Sequence, residues 1–283
     1  MGIHTTESAD TYATAVLAFL EEDPCARNVL LTVIDSVRAA PGSYSATPSF
    51  WWVTADTGQV CGAASWTPPY PLLVSAMPDT ATTELAASMI ARAAWLGIKP
   101  PGVNGPERSA HAVASAWIAA TGDRIERART ILLNELDHLV DVPVPPGTSR
   151  VATLPDVSLL AEWLTAFGAE VDLIVGLDPH ATAERAVRSG IFDLWIADAT
   201  PVCVVGHRVA GGVLRVGPVY TPPEHRNRGY GRRLTYEVTA RALTRPDVQR
   251  CMLFTDAANP VSNSIYRQAG YVARDRHVEI ALA

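Results

Sequence analysis

The sequence predicts an α/β (α+β) protein of two tandem domains, each a mixed, mainly antiparallel sheet flanked by helices. Three observations carry that expectation. Residues 140–148 read VDVPVPPGT, and four-membered helical periodicity is absent there; proline fixes φ and donates no backbone hydrogen bond, so the stretch reads as a linker between domains 1–139 and 149–283. On either side of it the hydrophobic pattern gives nearly the same order of helices and strands. In the second half, a strand runs into a glycine loop that opens a helix.

In the first half, helices are expected at about 9–21 and 25–39, then strands at 50–55 and 59–66 across a Thr57-Gly58 turn. A strand at 72–77, a helix at 81–96, a helix near 107–121 and a strand near 126–138 follow. The segment Gly102, Val103, Asn104, Gly105, Pro106 reads as a plain turn. Trp51, Trp52, Trp66 and Tyr70 lie in or beside the strands, where aromatics serve packing more often than ligand binding.

In the second half, a strand at 149–152 leads through Thr153 and Asp156, a capping-box start, into a helix with Leu160, Trp163, Leu164 and Phe167 on one face. A helix at about 180–189 stops at Gly190. Residues 191–197, 202–209 and 213–220 read as an antiparallel meander broken by Ala-Thr-Pro and Ala-Gly-Gly. A helix from Tyr230, a strand at 251–254, a helix around Tyr266 and a final strand or hairpin at 271–282 complete it.

The functional signal is the stretch 216–233, VGPVYTPPEHRNRGYGRR. The apolar run Val213, Leu214, Val216, Val219 is ended by Pro222 and Pro223. From Tyr230 onward, Leu234, Val238 and Ala242 recur at helical spacing, so Gly229 and Gly231 sit at a helix N-terminus. The first turn of a helix has backbone N–H groups without intrahelical partners and a partial positive charge, and bare glycines let an anion approach. Arg226, Arg228 and Arg232 add formal charge, which suits a diphosphate. A dinucleotide-binding fingerprint would need a third glycine at 234, where leucine stands.

These residues resemble the GCN5-related N-acetyltransferases (GNAT), whose signature is Gln/Arg-x-x-Gly-x-Gly/Ala after the fourth strand. The resemblance implies acetyl-CoA as acyl donor, with its pyrophosphate on Arg226, Asn227, Arg228, Gly229, Tyr230, Gly231 and Arg232 and its pantetheine along the backbone of Val219, Tyr220 and Thr221. A second segment, Asn259 through Tyr266 to Gly270 and Tyr271, is similar to the family's Asn-x-x-Ala-x-x-Leu-Tyr-x-x-x-Gly-Phe. It implies that Asn259 contacts pantetheine and that Tyr266 is the general acid for the departing thiolate. Asn263 projects from the same helical face. Asn259 followed by Pro260 is also a good helix start by itself.

The general base is less defined. Residues 212–220 contain no carboxylate. Asp256 is the candidate, beside its alternative as a turn former; Glu224, His225 and water stand behind it. The first half resembles a degenerate copy of the same fold, because Pro78-Asp79-Thr80-Ala81-Thr82-Thr83 there has neither the arginine nor the glycines.

Composition bounds the rest. With 283 residues, 48% hydrophobic and 18% charged, the chain is globular and long enough for two cores. No apolar run reaches eighteen residues and the N-terminus carries Glu7 and Asp10, so a cytoplasmic protein without a membrane partner is expected. Cys25, Cys61, Cys203 and Cys251 form no Cys-x-x-Cys pair, and neither disulfides nor a metal site is expected; Cys203 and Cys251 read as inert buried thiols. A net charge of −6 argues against nucleic acid and for a small-molecule or peptide amine as acceptor. The function expected is N-acetyl transfer in a ternary complex, and the alternative is a noncatalytic acyl-CoA-binding regulatory module.

Overall fold

The computed structural model describes residues 1–171 and 178–283. The first half runs β1 (Gly2–Thr6), α1 (Ala9–Glu22), α2 (Asn28–Ala39), β2 (Ser49–Thr54), β3 (Val60–Trp66), β4 (Leu72–Val74), α3 (Asp79–Leu96), β5 (Gly102–Pro106), α4 (Glu107–Thr121) and β6 (Ile125–Leu136). The second runs β7 (Thr148–Val151), α5 (Val157–Val171), α6 (Pro179–Arg188), β8 (Phe192–Ala197), β9 (Thr200–Ala210), β10 (Val213–Tyr220), α7 (Tyr230–Leu243), β11 (Arg250–Asp256), α8 (Pro260–Gln268) and β12 (Tyr271–Leu282). No helix among the described residues is long and apolar enough to cross a membrane.

Two compact units result. Unit 1 comprises Met1–Leu133, Thr255–Ala258 and Arg274–Ala283; unit 2 comprises Asn134–Phe254 and Asn259–Ala273. The last strand of the chain therefore belongs largely to unit 1.

In unit 1, β1, β2, β3 and β4 pair antiparallel in sequence, and β4 pairs parallel with β5. The end of β12 adds antiparallel to β5, with His277 to Ala281 opposite Pro106 to Gly102. Gly102–Pro106 is thus a strand rather than the expected turn. Its glycines are there for close approach: a Cβ at Gly105 would lie 2.4 Å from the Val74 carbonyl oxygen, and one at Gly102 would lie 2.0 Å from that of Ile280. β4 also ends earlier than expected, because the Ser75 hydroxyl accepts from Ala63 N and donates to the Ala76 carbonyl, turning the chain away. The core joins Trp51, Trp66, Leu85, Met89 and Trp117 to Val278, Ile280 and Leu282 of β12. Trp51 and Trp66 are packing residues whose indole N–H groups donate to Ser88 Oγ and the Tyr70 carbonyl. Trp52 stacks on His4.

In unit 2, β8, β9 and β10 form the expected antiparallel meander, β7 adds antiparallel to β8, and β10 pairs parallel with β11. Alternation along β9 sends Cys203 and Val205 toward Leu234, Val238 and Ala242 of α7, and Val204 toward Leu160, Trp163 and Leu164 of α5. Thr153 and Asp156 form the capping box, over a 3₁₀ turn that runs into α5. Arg150 holds the Asp156 carboxyl down at about 2. The far end of α7 is pinned to the sheet by the fully buried Asp193, which accepts from His207 Nε2 (2.9 Å) and from both Arg241 Nη groups (2.9 and 2.6 Å). Burial alone would raise the Asp193 pKa, but His207 and Arg241 together hold it below the usual range. The proline stretch after residue 139 is held on this unit, since Val142 is buried and Arg233 donates to the Asp141 carboxylate and the Val142 carbonyl.

Candidate active site

The site begins where two parallel strands part. The β10–β11 ladder runs from Val213–Arg250 to Val216–Leu253 and stops. After a bulge, β10 resumes pairing on its other edge only, Val219 with Val205 and Tyr220 with Val204. Val219 and Tyr220 therefore continue as strand backbone, with Thr221 just past the strand end, and the edge that faced β11 lies outside the ladder, where such groups seek a partner. Beyond Thr221 the two prolines and a 3₁₀ turn, Pro223–His225, carry the chain to the glycine loop.

The helix start is as the sequence implies. Gly229 is the N-cap of α7 at φ +83°, a left-handed conformation that glycine adopts without strain, and it provides no side-chain cap. The first helical bond is Arg233 N to the Gly229 carbonyl, so the N–H groups of Tyr230, Gly231 and Arg232 are the unpaired donors of the first turn. Gly231 faces the end of β10: a Cβ there would meet Val219 Cγ1 at 3.4 Å and Thr221 Oγ1 at 3.5 Å. Asn227, at φ +62°, bends the loop.

The arginines divide by partner. Arg226 donates from Nε to the Thr221 carbonyl (2.9 Å) and from Nη2 to Glu170 at the end of α5. Arg228 donates to the Glu224 carbonyl. Arg232 donates from Nη1 to Gln268 Oε1 on α8. Tyr230 is buried in the core under α7, and the Tyr220 ring packs on the opposite face against Trp163. The Tyr230 side chain is therefore in the core, and its backbone alone lies at the helix start.

Tyr266 is half-buried on α8, edge-on to Tyr271, whose hydroxyl shares a hydrogen bond with Thr239. Burial, with a smaller contribution from Cys203, pushes the Tyr266 hydroxyl above its ordinary range. Cys203 accepts a hydrogen bond from Thr221 Oγ1 (3.2 Å), and burial pushes its thiol up to about 12, so it stays neutral. Asn259 caps α8, its Oδ1 accepting from Ser262 N at 3.0 Å, and Asn263 follows one turn on. Asp256 Oδ1 accepts from Ala258 N at 2.7 Å, a turn contact, and the residue falls in unit 1. Sequence reasoning placed the loop and Tyr266 but did not include Cys203, Glu170 or Gln268 in the site. The hairpin register supplies a signal for Cys203, since pairing Val204 with Tyr220 sets Cys203 beside Thr221.

Residues 160–271 match the Acetyltransferase (GNAT) family. The match falls in the second half of the chain. No curated protein matches the sequence. Among solved structures, the fold is similar to a GCN5-related N-acetyltransferase from Sphaerobacter thermophilus at TM-score 0.62 and 18% identity, covering 99% of this chain and 95% of that one. A GNAT-family acetyltransferase from Colwellia psychrerythraea gives 0.59 and 9%, covering 100% of both chains. A tandem GNAT protein from the clavulanic acid biosynthesis pathway gives 0.57 and 14%, covering 100% of this chain and 98% of that one. At these identities the likeness is one of fold.

Proposed function

We propose that unit 2 binds acetyl-CoA and transfers its acetyl group directly to the primary amine of a small molecule or peptide, within a ternary complex. The observation that carries this reading is the parting of β10 from β11 after Val216, with an uncapped glycine helix start at Gly229, one 3₁₀ turn and a loop beyond the strand end. The chain fits the cofactor in two places. Open backbone at the strand end suits an amide-bearing arm, and the first-turn N–H groups of α7 suit its diphosphate.

Acetyl-CoA supplies an acetyl group activated as a thioester. The chain's residues do the rest. Residues 219–221 align the donor, and the N–H groups on their edge away from β9 are the available stabilisers of negative charge on the carbonyl oxygen. As the carbon–nitrogen bond forms and the carbon–sulfur bond breaks, the electron pair leaves on sulfur, and the Tyr266 hydroxyl provides the proton. Its raised pKa keeps that proton in place at neutral pH. The proton released by the amine goes to Asp256 or to water. The turn contact of Asp256 with Ala258 favours water.

The missing carboxylate on β10 supports a second reading, a module that binds acyl-CoA without turning it over. Thiol release from acetyl-CoA across a panel of primary amines separates the two. Amine-dependent release is expected, and Tyr266→Phe should lower kcat by about 100-fold with cofactor affinity kept. Saturable binding with no release for any amine would favour the binding module; unchanged kcat in the variant would remove Tyr266 from the chemistry.

A further inference from the structure

The three arginines of the loop are equal in charge but unequal in availability. Arg226 is tied to a carboxylate, Glu170, and to the Thr221 carbonyl, so its charge is largely neutralised where it stands and its contacts brace the loop against α5 and β10. Among the described residues Arg228 is met by the carbonyl of Glu224. Arg232 is met by a neutral amide. Its Nη1 donates to Gln268 Oε1, while Gln268 Nε2 donates to Ser264 Oγ one turn back at 3.3 Å, which fixes which end of the amide faces the guanidinium. Arg232 Nε is buried and has no acceptor among the described residues. The same guanidinium overhangs the loop, since a Cβ at Gly229 would come within 3.9 Å of Arg232 Nη2. An N–H donor buried without an acceptor is costly unless something else completes it.

We infer that Gln268 is a positioning residue that holds Arg232 over the glycine loop with its charge intact, so that Arg232, and not the signature arginine Arg226, provides the main side-chain charge for the cofactor phosphates. This rests on the acetyl-CoA reading of unit 2. A neutral partner is the relevant feature: it orients a guanidinium as a carboxylate would, but leaves the full positive charge for an incoming anion. Because Gln268 lies two residues beyond Tyr266 on α8, the same contact ties the helix of the proposed acid to the phosphate loop.

Gln268→Glu tests this, because a merely structural role predicts the opposite result. A glutamate would pair with Arg232 more strongly and keep the helices together, yet neutralise the charge. We expect calorimetry with coenzyme A to show about tenfold weaker binding for Gln268→Glu, and a similar loss for Arg232→Gln. The double variant should bind no more weakly than Arg232→Gln alone. Glu170→Gln, which frees Arg226, should not weaken binding. Parent-like affinity in Gln268→Glu, or a double variant weaker than Arg232→Gln, would overturn the assignment while leaving the cofactor reading standing. Failure of the parent chain to bind coenzyme A would overturn both.

Discussion

The two halves of the chain pass through the same order of elements, β1-α1-α2-β2-β3-β4-α3-β5-α4-β6 and β7-α5-α6-β8-β9-β10-α7-β11-α8-β12, yet they differ at the point where the fourth strand meets its parallel neighbour. In the first half the β4–β5 ladder reaches Leu73–Asn104, within one residue of the end of β4, and a Cβ at Gly105 would lie 2.4 Å from the Val74 carbonyl oxygen. Met77 N then donates to Ser109 Oγ at the start of α4, so the backbone beyond the strand is satisfied by the chain itself. The following helix begins with Asp79, whose carboxylate is held by Arg108. A negative side chain thus occupies the first turn, where the helix field favours an anion. In the second half β10 leaves β11 early and the helix begins on Gly229 with no cap. An anion site requires three local choices, and a repeated topology repeats none of them by itself.

The largest effect that would break this comparison concerns β12. Deleting residues 277–283 removes Val278, Ile280 and Leu282, each buried in the unit 1 core, at roughly 1.5–3 kcal/mol per side chain. Amide exchange should rise throughout β3, β4 and β5 of the first half, although the deletion is at the other end of the chain. Exchange rising instead only in β8, β9 and β10 would place the strand's stabilising role in unit 2.

A smaller and sharper contrast lies between two glycines. Gly105→Ala puts a methyl group 2.4 Å from the Val74 carbonyl oxygen, and urea denaturation should show a loss of about 2–4 kcal/mol. Gly231→Ala meets its neighbours at 3.4 Å or more, so stability should change by less than about 1 kcal/mol while cofactor affinity falls. Equal losses at both positions would mean that the two strand ends are packed alike.

The smallest effect is electrostatic. Arg150, with the Thr153 backbone and hydroxyl, depresses the Asp156 carboxyl to about 2 in the folded protein. Its folded pKa lies below the unfolded value, so the stabilisation is present above about pH 4 and is lost as pH falls through about 2. Arg150 is partly exposed, so the contribution is discounted to about 1 kcal/mol. Asp156→Asn should lose that amount at pH 7 and almost nothing at pH 2 by thermal melting; an equal loss at both values would show that shape rather than charge matters at the cap.

What was legible in the sequence was local. The meander from Phe192 to Tyr220, the start of α7 at Tyr230, the Asn259-Pro260 cap and the Thr153–Asp156 box each follow from turn chemistry and periodicity within a few residues. Gly102–Pro106 was misread because glycine and proline signal turns, and only the approach of β4 and β12 from far along the chain makes those glycines strand residues. β1, five residues without a strong apolar alternation, had no sequence signal either. The glycine start of α7 and the helix that carries Tyr266 follow from their pattern. The partners of Arg226, Arg228 and Arg232 do not, because Glu170 and Gln268 are brought opposite them by the tertiary packing of α5 and α8.

The most direct measurement is calorimetric titration of the intact chain with acetyl-CoA, beside the variants Gly231→Glu and Asp79→Asn. The account predicts one saturable site per chain, abolished by Gly231→Glu and unaffected by Asp79→Asn. Two sites per chain, or a site that survives Gly231→Glu, would contradict it.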